Sequence, residues 1–236
     1  MRLFAIADLH LSFGLENNKS MEIFKGFENH IERLRQNWNN TVGENDTVVI
    51  AGDISWAISL ETATPDFVFI DRELNGKKII IKGNHDYWWT SLSKMNEFSM
   101  RNNLHNISFL HNNAFLVDNI AVCGTRGWLS EKDEKHGEKL QKREAARLEA
   151  SIMQAKESFG ENISQTCVFL HYPPIYGDFE DYYMIEILQK YSVTNCFYGH
   201  LHGIAHKKAV LGECYGVEFS LISADFVDFK PVKIEK

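Results

Sequence analysis

Five short blocks of this chain carry side chains suited to holding metal ions: Asp8-Leu9-His10, Gly52-Asp53, Gly83-Asn84-His85-Asp86, His171-Tyr172-Pro173-Pro174 and Gly199-His200-Leu201-His202. Their donors are carboxylate and amide oxygens and imidazole nitrogens, with no thiolate among them. Such a set suits Mn, Fe, Zn, Co or Ni better than Ca or Mg. Alternate residues of an extended backbone project to one side, so Asp8 with His10, and His200 with His202, can each address one ion. Glycine just before Asp53, Asn84 and His200 permits a sharp exit from a strand and a close approach of backbone to the site. A divalent ion lowers the pKa of bound water from 15.7 toward about 7 and draws charge from phosphoryl oxygens. Singly, each block is ordinary: a lone histidine at a strand end is usually a satisfied polar residue, and Gly-Asp is common turn chemistry. Their joint order points to a site.

In that order the blocks resemble the calcineurin-like metallophosphoesterases, whose pattern reads D-x-H, G-D, G-N-H-D/E, a lone His, then G-H-x-H. The match runs from residue 8 to residue 202. The resemblance implies two divalent ions, one held by Asp8, His10, Asp53 and His202, the other by Asp53, Asn84, His171 and His200, with Asp53 bridging. It makes His85 the non-ligand histidine facing the substrate, a candidate to protonate the leaving group, and Asp86 or another carboxylate a candidate to orient the ring. The implied activity is hydrolysis of a phosphomonoester or phosphodiester of a small molecule by in-line attack of metal-activated water. The implied fold is a layered α-β-β-α sandwich of two mixed sheets flanked by helices.

Two other readings fit the same blocks. A nucleotide-sugar pyrophosphohydrolase of the UDP-diacylglucosamine type has a similar length and a similar opening to Asp8-Leu9-His10-Leu11, but typically has Arg where this chain has His85. A non-catalytic protein-binding scaffold on the same fold is expected to have lost ligands, and here all seven residue types are in place.

Around these blocks, Tyr87 follows Gly83-Asn84-His85-Asp86, Arg126 and Trp128 follow an apolar run ending near Cys123, and Tyr172 follows His171. These four are the candidate substrate wall, with Arg126 able to fork onto a phosphate. Tyr176 and Tyr182 flank a Gly-, Asp- and Glu-containing segment that reads as a loop near the same mouth. His30, His105, His111, His136 and His206 lie outside the pattern and are assigned surface or core roles.

The elements that must position these groups alternate between strand and helix. Strands are expected at Leu3 to Ala7, Thr47 to Ala51, Lys78 to Ile81, Ile120 to Cys123, Thr166 to Leu170 and Asn195 to Tyr198. Closing antiparallel strands are expected at Phe219 to Ser223 and Phe226 to Ile234. Phe24, Phe27, Ile31, Leu34 and Trp38 recur at steps of three and four, which predicts one helix over 21–38. A second helix is expected from about Asp133 to Phe159, its mixed-charge face carrying the pairs Glu131/Lys135 and Glu138/Lys142. This alternation argues an α/β layered fold, one domain over 1–236, with its site at the carboxyl ends of the strands.

The 236 residues carry a net charge of −7, a poor footprint for a protein that grips a nucleic-acid duplex through its own lysines and arginines. Positive charge for a phosphate must come from bound cations. Cys123, Cys167, Cys196 and Cys214 form no CxxC pair and read as reduced core residues. The apolar run before Asp8 is too short for a signal peptide or a spanning helix, so no membrane association and a cytoplasmic location are expected.

Overall fold

The computed structural model describes residues 1–15, 21–129 and 134–235. Two sheets lie face to face. The first contains β1 (Leu3–Ile6), β2 (Thr47–Ala51), β3 (Lys77–Ile81) and β4 (Ile107–Phe109), all parallel, with β13 (Val232–Ile234) antiparallel against β1. The second runs in the order β11 (Gly212–Cys214), β12 (Val217–Leu221), β10 (Asn195–Tyr198), β7 (Gln165–Leu170), β6 (Ile120–Thr125) and β5 (Phe115–Val117). A hairpin of β8 (Ile175–Tyr176) and β9 (Phe179–Glu180) stands apart.

Helices α1 (His30–Thr41), α2 (Leu60–Glu73) and α3 (Leu92–Arg101) cover the outer face of the first sheet, and α4 (Glu134–Phe159) and α5 (Tyr182–Lys190) that of the second. The result is the expected α-β-β-α sandwich. Strands buried on both faces need apolar residues at successive positions, and the runs Thr47–Ala51 and Lys77–Ile81 supply them. Along β1 the side chains divide between two cores. Leu3 and Ala5 meet Val49, Ile79 and Phe169 between the sheets, whereas Phe4 and Ile6 meet Leu34, Trp38 and Phe67 beneath the helices.

Three expectations need correction. Residues 21–38 are not one helix: a 3₁₀ turn at Met21–Ile23 is cut off by Gly26 (φ 99°) and Asn29 (φ 51°), and α1 begins only at His30. Left-handed backbone cannot propagate a right-handed helix. The strand around Phe219 is antiparallel to β11 but pairs in parallel with β10, because the chain crosses over rather than turning back. Residues after Phe226 begin as turns, and only Val232–Ile234 extends. The pair Glu138/Lys142 forms at 2.8 Å, while Glu131/Lys135 and the side chain of His136 lie outside the described residues. Among the described residues, no helix is long and apolar enough to cross a membrane.

Cys123, Cys167 and Cys196 are buried and Cys214 is half-buried on β11, all four unpaired. Burial pushes the thiols of Cys123 and Cys167 up to about 12 and raises that of Cys196 further. Ellman's reagent at pH 8 is therefore expected to label Cys214 alone quickly in the native protein, the other three following only on unfolding. Rapid labelling of more than one thiol contradicts this packing.

Candidate metal centre

The five blocks meet where the parallel strands of both sheets end. Asp8 and His10 follow β1, Asp53 follows β2, Asn84 and His85 follow β3, His171 follows β7, and His200 and His202 follow β10. The backbone stitches these exits together. Ala7 N–H donates to Ile222 O (2.8 Å), joining the sheets, while Asp8 N–H donates to Gly52 O and His10 N–H to Asp53 O, both at 2.9 Å.

Asp8 and His10 are not on extended backbone, so strand alternation does not orient them. Asp8 (φ 63°), His10 (φ 48°), Asp53 (φ 51°) and His200 (φ 70°) all sit in the left-handed region. Each such residue costs of order 1–3 kcal/mol, which is why they concentrate where a site needs side chains aimed inward from several elements. The glycines provide the room. A Cβ on Gly83 would lie 2.1 Å from the backbone nitrogen of Asp53, and one on Gly52, itself at φ 91°, would meet the ring of His171 at 2.6 Å.

Among the described residues, two donor clusters result, one of Asp8, His10 and His202 and one of Asp53, His171 and His200. In the first, the Nε2 atoms of His10 and His202 face one another at 3.2 Å, and Asp8 Oδ1 is buried without a hydrogen bond. In the second, His171 Nδ1–H donates to Ala51 O (3.0 Å), which leaves Nε2 as a lone pair 2.6 Å from another acceptor, Asn84 Oδ1. Asp53 stands between the clusters, Oδ1 3.5 Å from His171 Nε2 and Oδ2 3.8 Å from His10 Nε2.

Donors that face other donors' lone pairs in a water-poor pocket call for a cation. The ionisation equilibria agree. Burial pulls His10, His171 and His200 down to about 3, keeping them neutral and able to ligate, and pushes Asp8 up to about 7. Burial also pulls on His202, but its hydrogen bond from Nδ1 to Asp225 (2.8 Å) and the carboxylate of Asp8 outweigh it and hold the ring up at about 9. The residues present therefore fit divalent metal ions.

His85 occupies the edge of the clusters. Its backbone N–H donates to Asp53 Oδ1 (2.8 Å), its Nε2 lies 3.9 Å from Asp53 Oδ2, and its Nδ1 has no hydrogen-bond partner. Asp86 does not orient this ring. Its buried carboxylate instead accepts from Ile54 N (2.8 Å), Gly83 N (2.7 Å), Ser55 N (3.3 Å) and Trp88 Nε1 (3.0 Å), pinning the β2 and β3 exits together. The ring of Trp56, 4.3 Å away, holds His85, and also stacks on His10 at 5.0 Å.

Of the four expected wall residues, Tyr172 and Tyr87 adjoin the site histidines, whereas the side chains of Trp128 and Arg126 are linked to them through Tyr172. Arg126 lies over Trp128 (5.1 Å), Trp128 meets Tyr172 (5.9 Å), and Tyr172 packs on His200 (4.4 Å), while Tyr87, 62% exposed, stands 6.2 Å from His85. Sequence reasoning missed Trp56 and Asp225, the latter lying beyond the last motif block. Asp225 also accepts from Gly203 N–H (3.1 Å) and lies 3.3 Å from His206.

The calcineurin-like phosphoesterase family model matches residues 1–203. The chain belongs to that family. Both clusters accord with the metal-dependent phosphoesterase chemistry that this family implies. A solved structure, described as a protein of unknown function AQ665 from Aquifex aeolicus, aligns at 16% identity over 98% of this chain and 95% of that one, with a TM-score of 0.48. No curated protein matches.

Because Asp225 fixes the tautomer and orientation of His202, Asp225→Ala is expected to weaken Mn²⁺ binding by about 10–100-fold in calorimetric titration while the fold persists. Asp86→Asn should lower unfolding free energy by about 1–3 kcal/mol in urea, since an amide turns an N–H group toward one of the four donors. Wild-type stability in that variant removes Asp86 as the brace.

Proposed function

We propose that the phosphoesterase is a binuclear enzyme in which Asp8, His10 and His202 hold one divalent cation, Asn84, His171 and His200 hold a second, and Asp53 bridges them. The observation that carries this is the placement of Asp53, whose two oxygens face different clusters at 3.5 and 3.8 Å. When bound, the cations lower the pKa of coordinated water and neutralise charge on the phosphoryl oxygens. The reaction forms a P–O bond from a water oxygen and breaks the ester P–O bond, so the departing oxygen requires a proton.

His85 is the imidazole that supplies it: it borders Asp53, yet neither ring nitrogen is tied to a hydrogen-bond acceptor of normal length. Trp56 keeps the ring from turning away, and proton transfer from a positioned imidazole is worth about 10²–10⁴-fold in rate. Arg126, Trp128 and Tyr172 form a run of contacts that leads to His200, and Tyr87 lies beside His85. The substrate is a small-molecule phosphate ester.

Purified protein supplied with Mn²⁺ is expected to bind close to two ions per chain and to hydrolyse p-nitrophenyl phosphate or bis-p-nitrophenyl phosphate. Asp53→Asn should lose bound metal and turnover together. His85→Ala should keep both ions and lose about 10²–10⁴-fold in kcat. Loss of metal from His85→Ala overturns its assigned role, and inactivity of folded, metal-loaded protein on both esters and a broad phosphate panel overturns catalysis.

A further inference from the structure

The broken helix at 21–38 has a chemical consequence. Because the chain leaves the 3₁₀ turn at Gly26, Phe24 and Phe27 do not share a helical face. Phe27 is buried against the metal-side histidines, its ring 6.3 Å from His10 and 5.7 Å from His202, whereas Phe24 stays 53% exposed. Met21, Phe24 and Phe27 form one side of a cavity of about 380 Å³, Trp56 forms another, and His10, His85 and His202 form its inner end. Among the described residues, Lys25 is the only lysine, arginine or carboxylate in the lining.

We infer that this cavity receives the leaving group, and that the natural substrate is the phosphate ester of an apolar, ring-sized alcohol rather than of a polyol or sugar. This rests on the phosphohydrolase reading above. The departing oxygen must lie beside its proton donor, His85, so whatever that oxygen carries continues into the space His85 borders. Away from the three histidines, and apart from Lys25 and Gly203, that space is walled by the thioether of Met21 and the aromatic carbon of Phe24, Phe27 and Trp56. A sugar entering it would exchange water for surfaces that return few hydrogen bonds, and its hydroxyls would be left unpaired. An apolar ring meets the opposite balance, covering Phe24 and stacking between it and Trp56. Phe24 and Trp56 thus determine specificity for the alcohol, while the metal-ligating groups act on the phosphate alone.

Phenethyl phosphate and glycerol 3-phosphate both release primary alcohols and separate the two classes at similar intrinsic reactivity. The Mn²⁺-loaded enzyme is expected to favour phenethyl phosphate by about tenfold or more in kcat/KM, with the difference carried mainly by KM. Phe24→Ser should reduce that preference about tenfold and Phe24→Leu should restore most of it. Calorimetry with the non-hydrolysable phenethylphosphonate and ethylphosphonate should show the same preference in binding and the same response to Phe24→Ser. Hydrolysis of both esters with equal kcat/KM, a preference indifferent to Phe24→Ser, or equal binding of the two phosphonates overturns the inference and leaves the phosphohydrolase reading standing. Turnover of neither ester, nor of the p-nitrophenyl esters, overturns both.

Discussion

Ionisable groups stripped of water at the meeting point of two sheets are the constraint on which this structure turns. Asp8, Asp53 and Asp86 are all buried, and buried carboxylates are tolerated only when counter-charge or a full set of donors replaces the lost water. Asp86 has the donors, four of them. Asp8 and Asp53 lack an equivalent set and face imidazoles whose lone pairs are themselves unmet. A protein obtains such an arrangement stably by leaving room for cations.

The backbone bears the cost of aiming those groups. Four of the seven expected ligands adopt left-handed conformations, and the glycines beside them admit neighbours too close for any side chain. Such strain persists because the surroundings over-determine it. Hydrogen bonds from Asp8 and His10 to the β2 exit, the carbonyl of Arg126 accepting from His171 and Tyr172, and the bridge from Ala7 to Ile222 leave the loops no freedom to relax. Positioning by rigid strand ends rather than by mobile loops is what lets residues 192 positions apart, Asp8 and His200, share a 2.9 Å hydrogen bond.

The central strands and the motif blocks are legible in the sequence because both depend on local residue type: an apolar run ending in Gly, Asp, Asn or His marks a strand together with its exit. Helices α2, α3 and α5 are not among the expected helices, although each carries an N-cap whose side chain accepts a backbone N–H, Ser59, Ser91 and Asp181, and α3 and α5 place Met95 with Phe98, and Met184 with Leu188, at helical spacing. The periodicity of residues 21–38 misleads because hydrophobic spacing says nothing about backbone sign, and Gly26 and Asn29 are the signals against a continuous helix. Adjacency in sequence suggests Asp86 as a partner of the His85 ring, whereas a short side chain at a strand exit finds backbone donors first. Trp56 and Asp225 carry no motif, and their roles arise only from the way the sheets face each other.

Whether the two donor clusters are a pair of cation sites sharing Asp53 is tested most directly by anomalous diffraction at the manganese edge, from crystals grown with Mn²⁺. Two peaks are expected, one within ligand distance of Asp8, His10 and His202, the other of Asn84, His171 and His200, both touching Asp53. A single peak remote from Asp53, or no peak at either cluster in a well-ordered crystal, contradicts a shared binuclear centre.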